Sequence, residues 1–312
     1  MLPRMNGRER ARSSFKTIAI LAAIPLAGLA AFFLWQWLNG GETPRETYQE
    51  ARASMLGTQG PLPAEPSRPT AAVRRGDSEE MSALPKVRRK ARRGASGDIV
   101  LIIDDLGFEG QPLERLMDLD PNVNYAILPN GTHATQFADR LNARGFEILC
   151  HLPMEPKGRE TPGRNAILTS MSDEEIARAT RENIQAIPHA RGVNNHMGSL
   201  ATSDRRVMES VLRAIPEGMY FIDSRTSGGS VAGEVARAMN VRTATRHVFL
   251  DDVATVAAVR RQLGNLAEAA ERRGVAVGIA HPYPVTLRVL AEELPELRAR
   301  GFRFVRASEV VR

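Results

Sequence analysis

The sequence predicts an α/β fold, a mostly parallel sheet or barrel, in residues 98–312. Short apolar runs of four to six residues alternate there with amphipathic stretches, which is the pattern of a strand–helix repeat. The runs are continuously apolar, as in strands that are buried on both faces. We therefore expect a sheet covered by helices, with functional groups at the carboxyl ends of its strands.

Seven strands and six helices are predicted along this part of the chain. The strands are expected at residues 99–103, 123–128, 146–150, 219–222, 247–250, 275–280 and 302–305. The helices are expected at residues 134–144, 172–187, 204–214, 231–239, 255–273 and 285–298. Ser172 and Glu175 have the spacing of a capping box, and Gly145 and Gly274 stand where helices would end.

Residues 17–38 form an uncharged, apolar run of 22 residues. As a helix this run would be about 33 Å long, enough to cross a hydrocarbon core of about 30 Å. Five basic residues precede it, so the positive-inside rule predicts a cytoplasmic segment at residues 1–16 and an extracytoplasmic remainder. A cleaved signal peptide is the alternative, but the run is long for one and lacks an A-x-A-like site. We expect one uncleaved transmembrane helix in the inner membrane, with a periplasmic domain.

The positive charge of the chain lies outside the predicted domain. Residues 39–97 are rich in Gly, Pro, Ser and Arg, which is typical of a flexible, disordered linker. Residues 1–97 carry 16 Lys+Arg and 8 Asp+Glu, whereas residues 98–312 carry 26 and 28. No nucleic-acid partner is expected, because a nucleic-acid-binding domain would carry its own basic face. The single cysteine, Cys150, excludes internal disulfides and cysteine-rich zinc modules.

Four predicted strands are followed directly by carboxylate or imidazole side chains. Asp104 and Asp105 follow the first strand, and His151 follows the strand at 146–150. Asp223 follows the strand at 219–222, and His281 follows the strand at 275–280. Because the carboxyl ends of parallel strands meet at one edge of a sheet, we expect these groups to lie together.

This collection of side chains predicts a metal-dependent hydrolytic site. Carboxylates and imidazoles without thiols suit a divalent metal such as zinc in an open catalytic site. His196, in the segment NNHMGS that we predict as a loop, is a further imidazole. Hydrolysis also needs a base and an acid. The adjacent Asp104 and Asp105 can supply one base and one ligand if the turn after the strand aims both inward.

Six short motifs together resemble one known family. They are IIDDLG (102–107), ILPNGTHA (127–134), HLPMEP (151–156), NNHMGS (194–199), DSRT (223–226) and HPYP (281–284). In this order they are similar to the divergent polysaccharide deacetylases, a distant branch of the carbohydrate-esterase polysaccharide deacetylases, over about residues 98–310. The resemblance implies a deformed (β/α) barrel, a metal site at its mouth, and hydrolysis of acetyl groups from a glycan.

The resemblance also implies the ligands of the metal. Asp105 looks like the metal-binding aspartate, and His151 looks like the first histidine of an H-x-x-x-H motif. The second histidine of that motif is replaced by Glu155, which is a departure from the family pattern. His196 is the preferred third ligand because neutral imidazole suits zinc. Glu155 is the second candidate.

The catalytic roles are implied in the same way. Asp104 resembles the general base, His281 the general acid, and Asp223 the aspartate that orients that histidine. The expected protein is a membrane-anchored, extracytoplasmic deacetylase of an envelope polysaccharide. The alternative, favoured by the loss of the second motif histidine, is a weak or inactive module that binds glycan or a cell-wall protein. A metal-dependent phosphoesterase is less expected, because no Gly-rich phosphate cradle accompanies these loops.

Overall fold

The structure is a computed structural model, and it describes residues 97–312. The predicted cytoplasmic segment 1–16, the membrane helix 17–38 and the linker up to residue 96 lie outside the described residues. Within residues 97–312, no helix combines the length and the apolar character needed to cross a membrane.

Nine strands and eight α-helices alternate along the described residues. The strands are β1 Asp98–Leu106, β2 Asn124–Ile127, β3 Glu147–Met154, β4 Ala190–Met197, β5 Tyr220–Asp223, β6 Thr243–Thr245, β7 Val248–Phe249, β8 Val275–Ala280 and β9 Arg303–Phe304. The helices are α1 Leu113–Met117, α2 Ala134–Ala143, α3 Asp173–Gln185, α4 Arg205–Ala214, α5 Ala232–Ala238, α6 Val256–Arg273, α7 Pro284–Ala299 and α8 Ala307–Val310.

All the strands belong to one parallel sheet that curls on itself. Its order is β6-β5-β4-β3-β2-β1-β8-β7, with β9 paired to the start of β1. The two edge strands β6 and β7 are consecutive in the chain and are joined by Arg246 and His247. With two residues between them, the Cα atoms of Thr245 and Val248 are at most about 10 Å apart. The two edges of the sheet therefore come close together. The predicted α/β class with a curled parallel sheet is confirmed.

Helices α2 to α7 begin and end close to their predicted positions, for the predicted reasons, whereas the short elements α1, α8 and β6 were not predicted. Ser172 and Glu175 form both hydrogen bonds of a capping box at the start of α3. Gly145 follows α2 at φ 85°, and Gly274 ends α6 at φ 81°, a backbone region that side chains with a Cβ rarely adopt.

Two predictions about the strands were wrong. The segment around His196 is strand β4, not a loop, and its pairing with β3 sets His151 opposite Asn194. Few apolar residues mark β4, because its inward positions carry polar site residues. Three strands continue further than predicted, β3 to Met154, β1 to Leu106 and β5 to Asp223, so the site residues expected directly after them lie within their carboxyl ends instead.

The strands separate two hydrophobic cores. In β1, Ile99, Leu101 and Ile103 pack with helix residues, while Val100 and Ile102 face the other way. The inward cluster also contains residues of β2, β3, β5 and β8 together with Val305, Ala307 and Val311. Because strand side chains alternate between the two faces, this second cluster is the interior of the barrel. Residues 305–311 fill its amino-terminal end.

Candidate metal centre and active site

The carboxyl ends of β1, β3, β4 and β8 bring five of the six predicted site residues together. Asp104 continues the inward face of Ile102 in β1 and is 3% exposed. Asp105 would face outward in a regular strand, but its backbone has φ 59° and the register with β2 shifts between Ile103 and Leu106. This bulge turns both carboxylates into the barrel, as the sequence required.

Three ligand atoms face each other at the centre of the site. His196 Nδ1 lies 2.8 Å from Asp105 Oδ1, and His151 Nε2 lies 3.2 Å from the same oxygen. The two imidazole nitrogens are 3.2 Å apart. All three side chains are buried. Among the described residues, Asp105, His151 and His196 form a group that could hold a metal ion.

The chemistry of this group fits a divalent cation. A cation such as zinc binds aspartate oxygen and histidine nitrogen at about 2.0–2.2 Å, and a triangle of donors with sides near 3 Å leaves room for such an ion. One carboxylate and two imidazoles also match open sites with three protein ligands. The carboxylate is ready to bind, because His196 and His151 outweigh the effect of burial and hold the pKa of Asp105 well below its usual range.

Glu155, the second candidate for the third ligand, is used elsewhere. Its Oε2 accepts hydrogen bonds from the backbone N–H and the hydroxyl of Thr169, each at 2.6 Å. Its backbone carbonyl accepts from Leu200 and Ala201. Glu155 therefore fastens the loop after β3, and the structure brings His196 to the position next to Asp105 instead.

Asp104 lies beside the metal group on the inward face. Its Oδ1 accepts a hydrogen bond of 2.8 Å from Asn194 Nδ2, and its Oδ2 lies 3.7 Å from His151 Nε2. Burial raises the pKa of Asp104 above the ordinary value, because desolvation disfavours the charged carboxylate. A carboxylate with a raised pKa is a stronger proton acceptor, as a general base must be.

His281 lies on the other side of Asp105, with its Nε2 3.8 Å from Asp105 Oδ2. Its Nδ1 is 3.0 Å from Asp251 Oδ1, and its backbone N–H donates to Asp251 Oδ2 at 2.7 Å. Burial alone would lower the pKa of His281, but the hydrogen bond to Asp251 and the nearby carboxylates raise it to about 9. His281 is therefore held protonated at neutral pH, as a general acid requires.

The prediction that Asp223 orients His281 was wrong, because Asp251 does so. Residues Tyr220 and Ile222 of β5 face the barrel interior, so the alternation of the strand turns Asp223 outward. Its carboxylate accepts hydrogen bonds from the backbone N–H of Arg225 and the hydroxyl of Ser230. Asp223 thus holds the loop after β5.

Asp251 could have been found in the sequence. It directly follows the predicted strand at residues 247–250, so the rule that selected the other site residues applies to it as well. It is also an even number of residues after Phe249, which packs against the interior cluster. The period of two therefore points Asp251 inward.

Fold and site together define a curled parallel α/β barrel with a carboxylate–imidazole centre at its mouth. A family model described as divergent polysaccharide deacetylase matches residues 101–311. The chain belongs to the divergent polysaccharide deacetylase family, as its motifs predicted.

Two bacterial proteins are similar to this chain in sequence. The uncharacterised protein YibQ of Escherichia coli K12 is 35% identical over 198 residues, which cover 63% of this chain and 62% of that protein. The chain thus spans less than two thirds of that relative. An uncharacterised protein of Haemophilus influenzae is 33% identical over 204 residues, 65% of this chain and 73% of the relative.

A solved structure is similar to the fold. The crystal structure of the uncharacterised protein ATU2773 from Agrobacterium tumefaciens C58 has a TM-score of 0.67 and 24% sequence identity. The similarity covers 70% of this chain and 91% of that chain. It supports the architecture of the barrel.

Proposed function

We propose that this protein is a zinc-dependent deacetylase that removes acetyl groups from an envelope polysaccharide. One observation carries the proposal: the facing donor atoms of Asp105, His151 and His196 lie between the buried carboxylate of Asp104 and the imidazole of His281. Hydrolysis of an acetyl group needs these elements in one place, a cation flanked by a base and an acid.

The proton transfers follow from the positions of the two flanking groups. A divalent cation held by Asp105, His151 and His196 would supply Lewis-acid polarisation and lower the pKa of a water molecule. Asp104 takes a proton from the water while the oxygen of that water bonds to the acetyl carbon. His281 gives its proton to the departing nitrogen or oxygen of the sugar as the bond to the acetyl carbon breaks. The products are acetate and the free amine or alcohol.

Acetate release from acetylated glycan oligomers tests the proposal. We expect release by the full chain with added Zn²⁺, loss of release with a chelator, and loss in Asp105→Ala and Asp104→Asn. Asp139→Asn is the matched control, because Asp139 is an exposed carboxylate that contacts His189 outside the site. A folded protein that binds zinc without releasing acetate would favour the glycan-binding alternative. Release unaffected by the chelator and by Asp105→Ala would contradict the mechanism.

We further propose that residues 17–38 anchor the protein in the inner membrane, with residues 1–16 cytoplasmic and residues 98–312 periplasmic. The apolar length and the preceding basic residues support this topology. Membrane fractions of cells that express the full chain should retain it after carbonate washing. A variant without residues 17–38 should not be retained, and protease added to spheroplasts should cleave the full chain outside the membrane.

A further inference from the structure

The side chain of Asn194 connects the metal group to the base. It is fully buried on the inward face of β4, two residues before His196. Its Nδ2 donates to Asp104 Oδ1 at 2.8 Å, and its Oδ1 lies 2.9 Å from His151 Nδ1. A longer hydrogen bond of 3.3 Å runs from Nδ2 to the hydroxyl of Ser224. The amide of Asn194 therefore contacts both His151, a proposed metal ligand, and Asp104, the proposed base.

The hydrogen-bonding chemistry of Asp104 and His151 determines which atom of the Asn194 amide faces each of them. An ionised carboxylate only accepts hydrogen bonds, so the NH₂ group of Asn194 has to face Asp104. Its carbonyl oxygen then faces His151, and Nδ1 of His151 has to carry the hydrogen that this oxygen accepts. In the neutral ring this leaves the lone pair on Nε2, the atom that faces Asp105 and His196.

We propose that Asn194 is a positioning residue with two separable effects, an inference that rests on the proposed function. Through its oxygen it holds His151 in the tautomer and orientation that bind a cation. Through its NH₂ group it holds the carboxylate of Asp104 at the adjacent position. Partners of this kind typically change metal affinity about 10–100-fold when they are removed.

Asn195 shows that the two adjacent asparagines differ in kind. It is also fully buried, but it lies on the outward face of β4. Its Oδ1 accepts from the backbone N–H of Ser224, and its Nδ2 donates to the carbonyl of Met197. It joins the loops after β4 and β5 and contacts no titratable side chain among its hydrogen-bond partners.

Two substitutions of Asn194 separate its two effects. Asn194→Ala removes both contacts, and we expect the affinity for Zn²⁺, measured by competition with a chelator, to fall about 10–100-fold. Asn194→Asp keeps an oxygen that accepts from His151 but places a second buried carboxyl group against Asp104 Oδ1, so the two carboxyl groups share a proton and Asp104 is no longer held as a free carboxylate. We expect it to keep the Zn²⁺ affinity and the Co²⁺ absorption spectrum of the wild type and to lower kcat for acetate release with little change in KM.

Asn124→Ala is the matched control for the loss of a buried asparagine. Asn124 is fully buried at the opposite end of the barrel, where it donates to the carbonyl of Leu101 and accepts from Ala307. This variant should lose stability without losing Zn²⁺ affinity or kcat. Circular dichroism should show that each variant is folded.

The outcomes test the role of Asn194 separately from the proposed deacetylase function. If the wild type binds Zn²⁺ and Asn194→Ala binds it equally well, the inference is wrong and the proposed function stands. If Asn124→Ala weakens Zn²⁺ binding as much, the effect is one of general stability and the inference is again wrong. Undiminished kcat in Asn194→Asp would overturn the part that concerns Asp104. A wild type that binds no Zn²⁺ would overturn both proposals.

Discussion

At the scale of single residues, the backbone torsion of Asp105 determines which carboxylates face the site. In a regular strand Asp104 and Asp105 would face opposite sides of the sheet. At φ 59° the second residue is turned inward, so a proposed base and a proposed ligand come from adjacent positions. A left-handed residue with a Cβ is strained, and such strain persists where the surrounding structure fixes it.

Substitutions at Asp105 should reveal this strain. We expect Asp105→Gly to be more stable than Asp105→Ala by about 1 kcal/mol, because glycine adopts a positive φ without a steric penalty. Urea unfolding of the metal-free chain measures the difference. The matched pair is Asp104→Gly and Asp104→Ala, at a regular strand position where alanine should be the more stable. The same order at both positions would contradict a strained Asp105.

The Asp251–His281 pair makes a prediction about pH. The pKa of His281 is raised from 6.5 to about 9, so its contribution to stability is complete below pH 6.5 and is lost as pH rises through 9. We expect the metal-free wild type to lose more unfolding free energy over this range than Asp251→Asn, in which the pKa of His281 is lower. NMR titration of the His281 ring checks the pKa directly. An unchanged pKa in Asp251→Asn would show that the other carboxylates raise it alone.

Sequence reasoning selected most of the site residues because one physical rule applied to them. Asp104, Asp105 and His281 lie at the carboxyl ends of apolar strands, where functional groups gather. The role that the resemblance implied for Asp223 was wrong, because position after a strand does not tell which face a side chain takes. The period of two separates these two aspartates only once the structure shows which residues of β5 and β7 face inward, because both strands are apolar on their two faces.

Strand β4 carries the most polar part of the site at the scale of elements. Asn194 and His196 are its inward residues at the mouth, and both lie in the segment that was predicted as a loop. A strand that gives its inward positions to site chemistry loses the apolar pattern by which strands are recognised. The six helices α2 to α7, which pack on the sheet and carry no site residues, were predicted within about two residues of their ends.

Placing histidine at position 155, as in the second histidine of the family motif, should lower stability without raising the affinity for Zn²⁺. Glu155→His removes both hydrogen bonds to Thr169 and leaves that backbone N–H without its acceptor, so we expect a loss of about 1–3 kcal/mol in unfolding free energy. Zinc stoichiometry should stay the same. Glu109→His, at an exposed turn, is the control and should keep wild-type stability. A gain in Zn²⁺ affinity in Glu155→His would show that the loop can supply a ligand after all.

The barrel as a whole is closed at its amino-terminal end by residues 305–312. Ala307 and Val311 enter the interior cluster, and the backbone of residue 312 pairs with Thr243 of β6. The buried carboxylate of Glu147 accepts from Ser308 and from the hydroxyl of Tyr220. The final segment thus completes both the apolar core and a polar network beneath it.

Removing residues 307–312 should destabilise the entire barrel. The deletion removes the donors of Ser308 from Glu147 and the backbone N–H of Ala307 from Asn124 Oδ1, and a buried acceptor left unsatisfied costs about 1–3 kcal/mol. Urea unfolding should show a lower midpoint in a single transition. Arg306→Ala, which removes one exposed side chain, is the control. A shortened chain that unfolded at the wild-type midpoint would mean that the barrel does not depend on this segment.

The closed end also limits how the proposed polysaccharide substrate could reach the site. Because side chains fill the interior from the amino-terminal end, the barrel is a cup and not a tunnel. A polysaccharide could not pass through such a barrel. It would have to lie across the open rim with one acetyl group directed toward Asp105, and the released acetate would leave through the same rim. Residue 98, where the preceding 97 residues join the barrel, is at the bottom of that cup. The chain therefore enters the barrel at the end opposite the open rim, away from Asp105.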